Sequence, residues 1–190
     1  MSFVIGFATP QEVIIMSDGR ARNSLSREIL SESYNKTRKI NNNVCIGFSG
    51  IAEVSECIID NFMKYPEINI DIINADDTAV ILCEIAKIVA SNVNADNIQM
   101  VIAGLDASGK ITLNSFAKCT GFQINKQIPT ISHYCYATLN PNGFDGDKLF
   151  EHYICLTQMS ITKRMENCIK HAAQLNDTIN NRVFKCKISK

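Results

Sequence analysis

An apolar run near the start of the chain, within MSFVIGFATPQEVIIMSDGRA, ends on the charged cluster Asp18-Gly19-Arg20. A carboxylate at the end of a strand that reads as buried must be solvated, ion-paired or used, because an unpaired charge taken out of water costs several kcal/mol. Other reactive side chains offer less. His133, His152 and His171 have no triad context and read as packed or surface residues. The eight cysteines, Cys45, Cys57, Cys83, Cys119, Cys135, Cys155, Cys168 and Cys186, form no CxxC pair and lie at no histidine spacing that suggests a metal site; they read as reduced core thiols.

The elements that must position Asp18 follow from periodicity. Residues 3–8 and 12–17 are β-rich runs joined at Thr9-Pro10-Gln11, where Pro10 pre-sets a hairpin turn. Residues 22–35, RNSLSREILSESYN, are polar and serine-rich and read as an exposed, partly ordered excursion. Runs at 36–40 and 44–48 flank Asn41-Asn42-Asn43, which favours a second hairpin. From Ile51 the period changes, and Ile51, Val54, Ile58, Phe62 and Tyr65 lie on one face of a helix over 51–65. A more apolar helix over 77–93, capped at Asp76-Asp77, is expected to be covered on most sides. Strands at 98–105 and 110–117 flank the turn DASG. A strand at 131–139, helices at 144–156 and 160–175, and a closing strand at 183–188 complete the order. Two packed sheets with a helix pair on each outer face bury all these apolar surfaces, so the expected fold is α+β: a four-layer αββα sandwich forming a single domain over 1–190.

Composition narrows the function. Nineteen basic and nineteen acidic residues cancel, and no basic block exceeds two residues, so neither nucleic acid nor an anionic membrane surface is an expected partner. The N-terminus lacks a basic region, and no apolar stretch approaches 18 residues, so a soluble cytoplasmic protein is expected.

Three stretches, SDGRA at 17–21, KTRKINNNVCIGFSG at 36–50 and VIAGLDASGKITL at 101–113, carry a resemblance. Together with the element order, the chain resembles the proteasome-type N-terminal nucleophile hydrolases, such as HslV-like peptidases and proteasome beta subunits. In that family a nucleophile, usually Thr, opens the mature chain. An acidic residue follows 16 positions on, then a Lys placed 14 residues before an oxyanion-hole Gly; Ser2, Asp18, Lys36 and Gly50 match these spacings.

The resemblance implies a peptidase or amidase acting on a peptide or small amide substrate without a cofactor. It also implies a homo-oligomer that encloses its sites, with an ATP-dependent unfoldase as a possible partner. After removal of Met1 the Ser2 amine, with an ordinary pKa near 8, would be the general base for its own hydroxyl. Lys36 would place positive charge beside that hydroxyl, Asp18 would pair with Lys36, and the Gly50 N–H would face the oxyanion. Lys39 competes with Lys36 for the lysine position. Asp177 and Asn180 fall where the family has an Asp and a Ser that support the amine. The family's GSG segment is replaced by YATLNP at 136–141, with Thr138 nearest to the missing serine. The competing reading is a catalytically inactive scaffold or binding protein of the same fold.

Overall fold

The structure is a computed structural model that describes residues 2–23, 26, 28–93 and 97–190. Two strands whose side chains alternate between two apolar environments organise it. In β1 (Val4–Ala8) and β2 (Glu12–Asp18), Val4, Ala8, Val13 and Ile15 face one core, while Ile5, Phe7, Ile14 and Met16 face another. Both faces are covered, so β1 and β2 lack the polar alternation of a half-exposed sheet.

These strands lie inside an antiparallel four-stranded sheet, completed by β10 (Cys135–Leu139) beside β1 and β11 (Val183–Ser189) beside β2. The second sheet is also antiparallel, in the order β5 (Thr37–Lys39), β6 (Val44–Gly50), β7 (Ile98–Leu105), β8 (Ile111–Ala117) and β9 (Asn125–Gln127). A core containing Val4, Ile15, Cys45, Val101 and Leu113 takes side chains from both sheets. Gly47 marks how closely they approach: a Cβ there would lie 2.7 Å from Ile15 Cγ2 and 2.9 Å from Val4 Cγ1. Helices α1 (Ala52–Met63) and α2 (Ala75–Asn92) bury Ile58, Phe62 and Leu82 against Phe48, Met100 and Ile102 of the five-stranded sheet. Helices α3 (Gly146–Ile154) and α4 (Ile161–Leu175) bury Phe150, Met165 and Ile169 against Phe3, Ile5 and Ile14 on the other sheet. Among the described residues no helix is long and apolar enough to cross a membrane.

Several expectations need correction. The strand predicted at 131–139 begins only at Cys135, because Thr130 and His133 exchange backbone hydrogen bonds that close a tight turn and leave Ile131 99% exposed. Helix α2 is capped by Asn74, whose Oδ1 accepts from the amides of both Asp76 and Asp77. It is also less covered than its composition suggests, with Val80 and Ile88 more than half exposed. The serine-rich excursion contributes two short strands, β3 (Ala21–Arg22) and β4 (Ile29–Ser31), paired with each other; Ser24, Leu25 and Arg27 lie outside the described residues. All eight cysteines are free, but only Cys45, Cys83, Cys168 and Cys186 are buried; Cys57, Cys119 and Cys155 are exposed.

Candidate active site

Asp18 is the last residue of β2, held between β1 and β11: its N–H donates to the Phe3 carbonyl, and it stands opposite Val183 in the ladder. The side chain is fully buried. Its carboxylate is well supplied with donors. Oδ1 accepts from the Phe3 amide at 2.9 Å and Oδ2 from the Arg20 amide at 2.9 Å, and the Lys36 ammonium reaches both oxygens at 3.0 Å. The carboxylate that ends the apolar run is therefore ion-paired and fully hydrogen-bonded.

Lys36 comes from the other sheet, one residue before β5, where its carbonyl accepts from the Phe48 amide of β6. It too is buried, at 3% exposure. Burial pushes its pKa below the ordinary lysine value, an effect that the charge and hydrogen bond of Asp18 oppose but do not overcome. Lys39 is exposed and donates to Asn42 at 3.2 Å, so of the two candidate lysines Lys36 is the one bonded to Asp18.

Ser2, Lys36 and Gly50 line one small cavity, of about 20 Å³, together with Arg20, Ala21, Arg22, Tyr34, Phe48, Ser49 and Ala52. That is room for about one water molecule. Gly50 closes β6 at φ +129°, and a Cβ there would meet the Asn97 carbonyl oxygen at 1.9 Å, so both the backbone angle and the space require glycine. Ser2 is 3% exposed; Met1, whose removal the amine chemistry requires, lies outside the described residues.

The remaining candidates do not line that cavity. The Asp177 side chain is 83% exposed; its carboxylate pairs with Arg22 at 3.2 Å, and its carbonyl accepts from the guanidinium groups of both Arg20 and Arg22. Asn180 accepts from the Gly19 amide at 2.8 Å and donates to Glu32, whose carboxylate also holds Arg20. Both residues brace the turn that follows Asp18. Thr138 donates to Asp147 at 2.8 Å and accepts from Asn140.

One residue had no assigned role in the sequence. Ser49, 1% exposed, accepts from the Ser2 nitrogen at 3.3 Å and donates to the Ser2 carbonyl at 2.8 Å. Its position beside Gly50 was the available signal. Among the described residues no group of three or more His, Cys, Asp or Glu side chains could hold a metal ion.

The order of sheets and helices around this cavity is that of the proteasome-like fold. HslV from Trypanosoma brucei matches with a TM-score of 0.67 and 13% identity over 99% of each chain. Anbu, an ancestral beta-subunit, from Yersinia bercovieri matches with a TM-score of 0.76 and 10% identity, over 98% of this chain and 81% of that one. Anbu from Pseudomonas aeruginosa, solved as a helical assembly, gives 0.75 and 12% over 98% and 81%. No family model and no curated protein matches the chain. At such identities the likeness is one of fold.

Proposed function

We propose that the protein is an N-terminal nucleophile amide hydrolase in which Ser2, exposed by removal of Met1, attacks a peptide or small amide carbonyl. The observation that carries this reading is the buried Asp18–Lys36 pair beside the cavity that Ser2 and Gly50 also line. A buried ion pair is weak evidence for stability, and a perturbed lysine that lines the same cavity as a serine points to chemistry.

In the proposed reaction the Ser2 hydroxyl oxygen forms a bond to the carbonyl carbon while its proton passes to the Ser2 amine. The oxyanion is met by the Gly50 N–H, and Lys36, held by Asp18, stabilises the hydroxyl oxygen as it loses its proton. The amine then gives that proton to the leaving nitrogen as the C–N bond breaks, leaving an ester on Ser2. Water, deprotonated by the same amine, hydrolyses the ester and restores the hydroxyl. Asp177, bonded to Arg22, contributes through the turn after Asp18.

The three apolar cores, one between the sheets and one under each helix pair, support reading the architecture as a four-layer αββα sandwich and residues 1–190 as a single domain. We assign it to the cytoplasm. The exposed apolar residues of α2, Val80 and Ile88, are suited to packing against a second copy, and an assembly that encloses the sites could take substrate from an ATP-dependent unfoldase. The competing reading, a proteasome-like scaffold without activity, is favoured by the absence of Asp177 and Thr138 from the residues that line the cavity.

Intact mass and a panel of peptide amides decide between them. Loss of Met1 together with hydrolysis that Ser2→Ala lowers by at least about 10³-fold supports the enzyme. Hydrolysis that Ser2→Ala leaves unchanged, or retention of Met1 with no hydrolysis, removes it.

A further inference from the structure

We propose that Ser49 is the positioning residue of the N-terminal serine, fixing the nitrogen that acts as the base; this rests on the nucleophile reading above. Ser49 lies on β6 opposite Gln99 of β7, so it reaches Ser2 from the facing sheet and across 47 positions of sequence. Its hydroxyl touches both backbone polar groups of Ser2, accepting from the nitrogen and donating to the carbonyl. The hydrogen count sets its role. A hydroxyl has a single hydrogen, and here it is committed to the Ser2 carbonyl, so towards the nitrogen Ser49 acts only as an acceptor. With Met1 attached this nitrogen is a peptide amide whose single N–H goes to Ser49; once Met1 is removed, the same contact would hold one N–H of the amine and fix rotation about the N–Cα bond without supplying a proton.

The site needs such a group. The carboxylate of Asp177 is occupied by Arg22, and Asn180 is spent on Gly19 and Glu32. The charged and titratable groups around the cavity are Lys36, Arg20 and Arg22, with Asp18 behind Lys36 and Tyr34 at the wall. Three of these are cationic and none of the wall residues is a carboxylate, so the wall supplies little to stabilise an ammonium. An acceptor that costs no negative charge orients the amine while leaving it easy to deprotonate. Ser49 is also next to Gly50, so the strand that presents the oxyanion donor also grips the base.

The test uses protein whose first residue is Ser2, released from a cleavable leader, as wild type, Ser49→Ala, Ser49→Cys and Ser49→Thr. Cysteine keeps the volume and weakens the hydrogen bonds; threonine keeps the hydroxyl. We expect kcat on a peptide amide to fall by roughly 10- to 100-fold in Ser49→Ala and Ser49→Cys, the size of effect a misplaced catalytic group produces. KM should change little, the acid limb of the kcat profile should move to lower pH, and Ser49→Thr should recover most of the rate. The Ser2 amine is titrated separately by NMR through its own 15N shift in 15N-serine-labelled protein, a readout that does not need turnover. A lower amine pKa in Ser49→Ala than in wild type supports the inference. An unchanged amine titration, or an unchanged kcat and pH profile in an active enzyme, overturns it. Should wild type and Ser2→Ala be equally inactive, the nucleophile reading fails, and the amine titration still decides whether Ser49 holds the terminus.

Discussion

Two carboxylate–lysine pairs in this molecule have similar contact distances and opposite consequences. Lys36 meets Asp18 at 3.0 Å with both side chains almost completely buried. Lys126 meets Asp76 at 2.7 Å with the side chains 43% and 27% exposed. The hydrogen bond to Asp76 raises the Lys126 pKa above its ordinary value, whereas burial lowers that of Lys36 despite its carboxylate partner. Contact distance therefore does not set the direction in which a paired lysine's pKa moves; the solvent each has lost does. Asp76 shows the structural pattern throughout, accepting from Thr112 and Asn114 as well and tying the first turn of α2 to β8.

Lys36→Met should reduce amide hydrolysis by at least about 10³-fold, and because it leaves the Asp18 carboxylate buried without its counter-ion it should destabilise the fold by roughly 3 to 5 kcal/mol. Urea unfolding beside an activity assay separates the two effects, and a variant with wild-type turnover removes Lys36 from the mechanism. Next in size, replacing both partners with apolar residues, Asp18→Leu with Lys36→Met, should return much of that stability while activity stays absent, since the buried charge has gone. A double variant no more stable than Lys36→Met would show that the amides of Phe3 and Arg20, not the carboxylate's charge, dominate the cost.

Alkaline pH sharpens the contrast, because the two lysines give slopes of opposite sign. For Lys36 the folded pKa lies below the unfolded 10.5, so between the two the unfolded chain binds more protons and stability rises with pH. For Lys126 the folded pKa lies above 10.5, so its contribution is complete below that value and is lost as pH rises beyond it. The stability of wild type relative to Lys36→Met should therefore increase as pH approaches 10.5, while that relative to Lys126→Met should decline above it. Equal slopes in urea titrations would contradict the opposite shifts. The smallest expected effect is that of Lys126→Met near neutral pH, no more than about 1 kcal/mol because water screens the pair, with hydrolysis unchanged.

Much of this architecture was legible because its signals are local. The 98–105 strand reads directly from its apolar run and the following DASG turn, in which Asp106 Oδ1 accepts from the amides of Ser108 and Lys110. The 160–175 helix announces itself by spacing, and Ser160 caps it. Polar β9 was missed because Asn125–Gln127 is an edge strand with no apolar face to mark it, and Ile131 misled because a bulky apolar residue can also stand in a tight turn.

The candidate site divides along the same line. Residue type and short-range period were enough to end β2 on a carboxylate, to set lysines after it and to put a serine and a glycine just past the 44–48 run. It took the packing of the two sheets to select Lys36 over Lys39 as the partner of Asp18, to extend β6 through Ser49 and Gly50, to turn Asp177 outward to Arg22, to bring Ser49 onto Ser2 and to lower the Lys36 pKa. The reason is physical: these outcomes depend on which groups two sheets bring together and on how much water they exclude, and both are properties of packing between residues far apart in the chain.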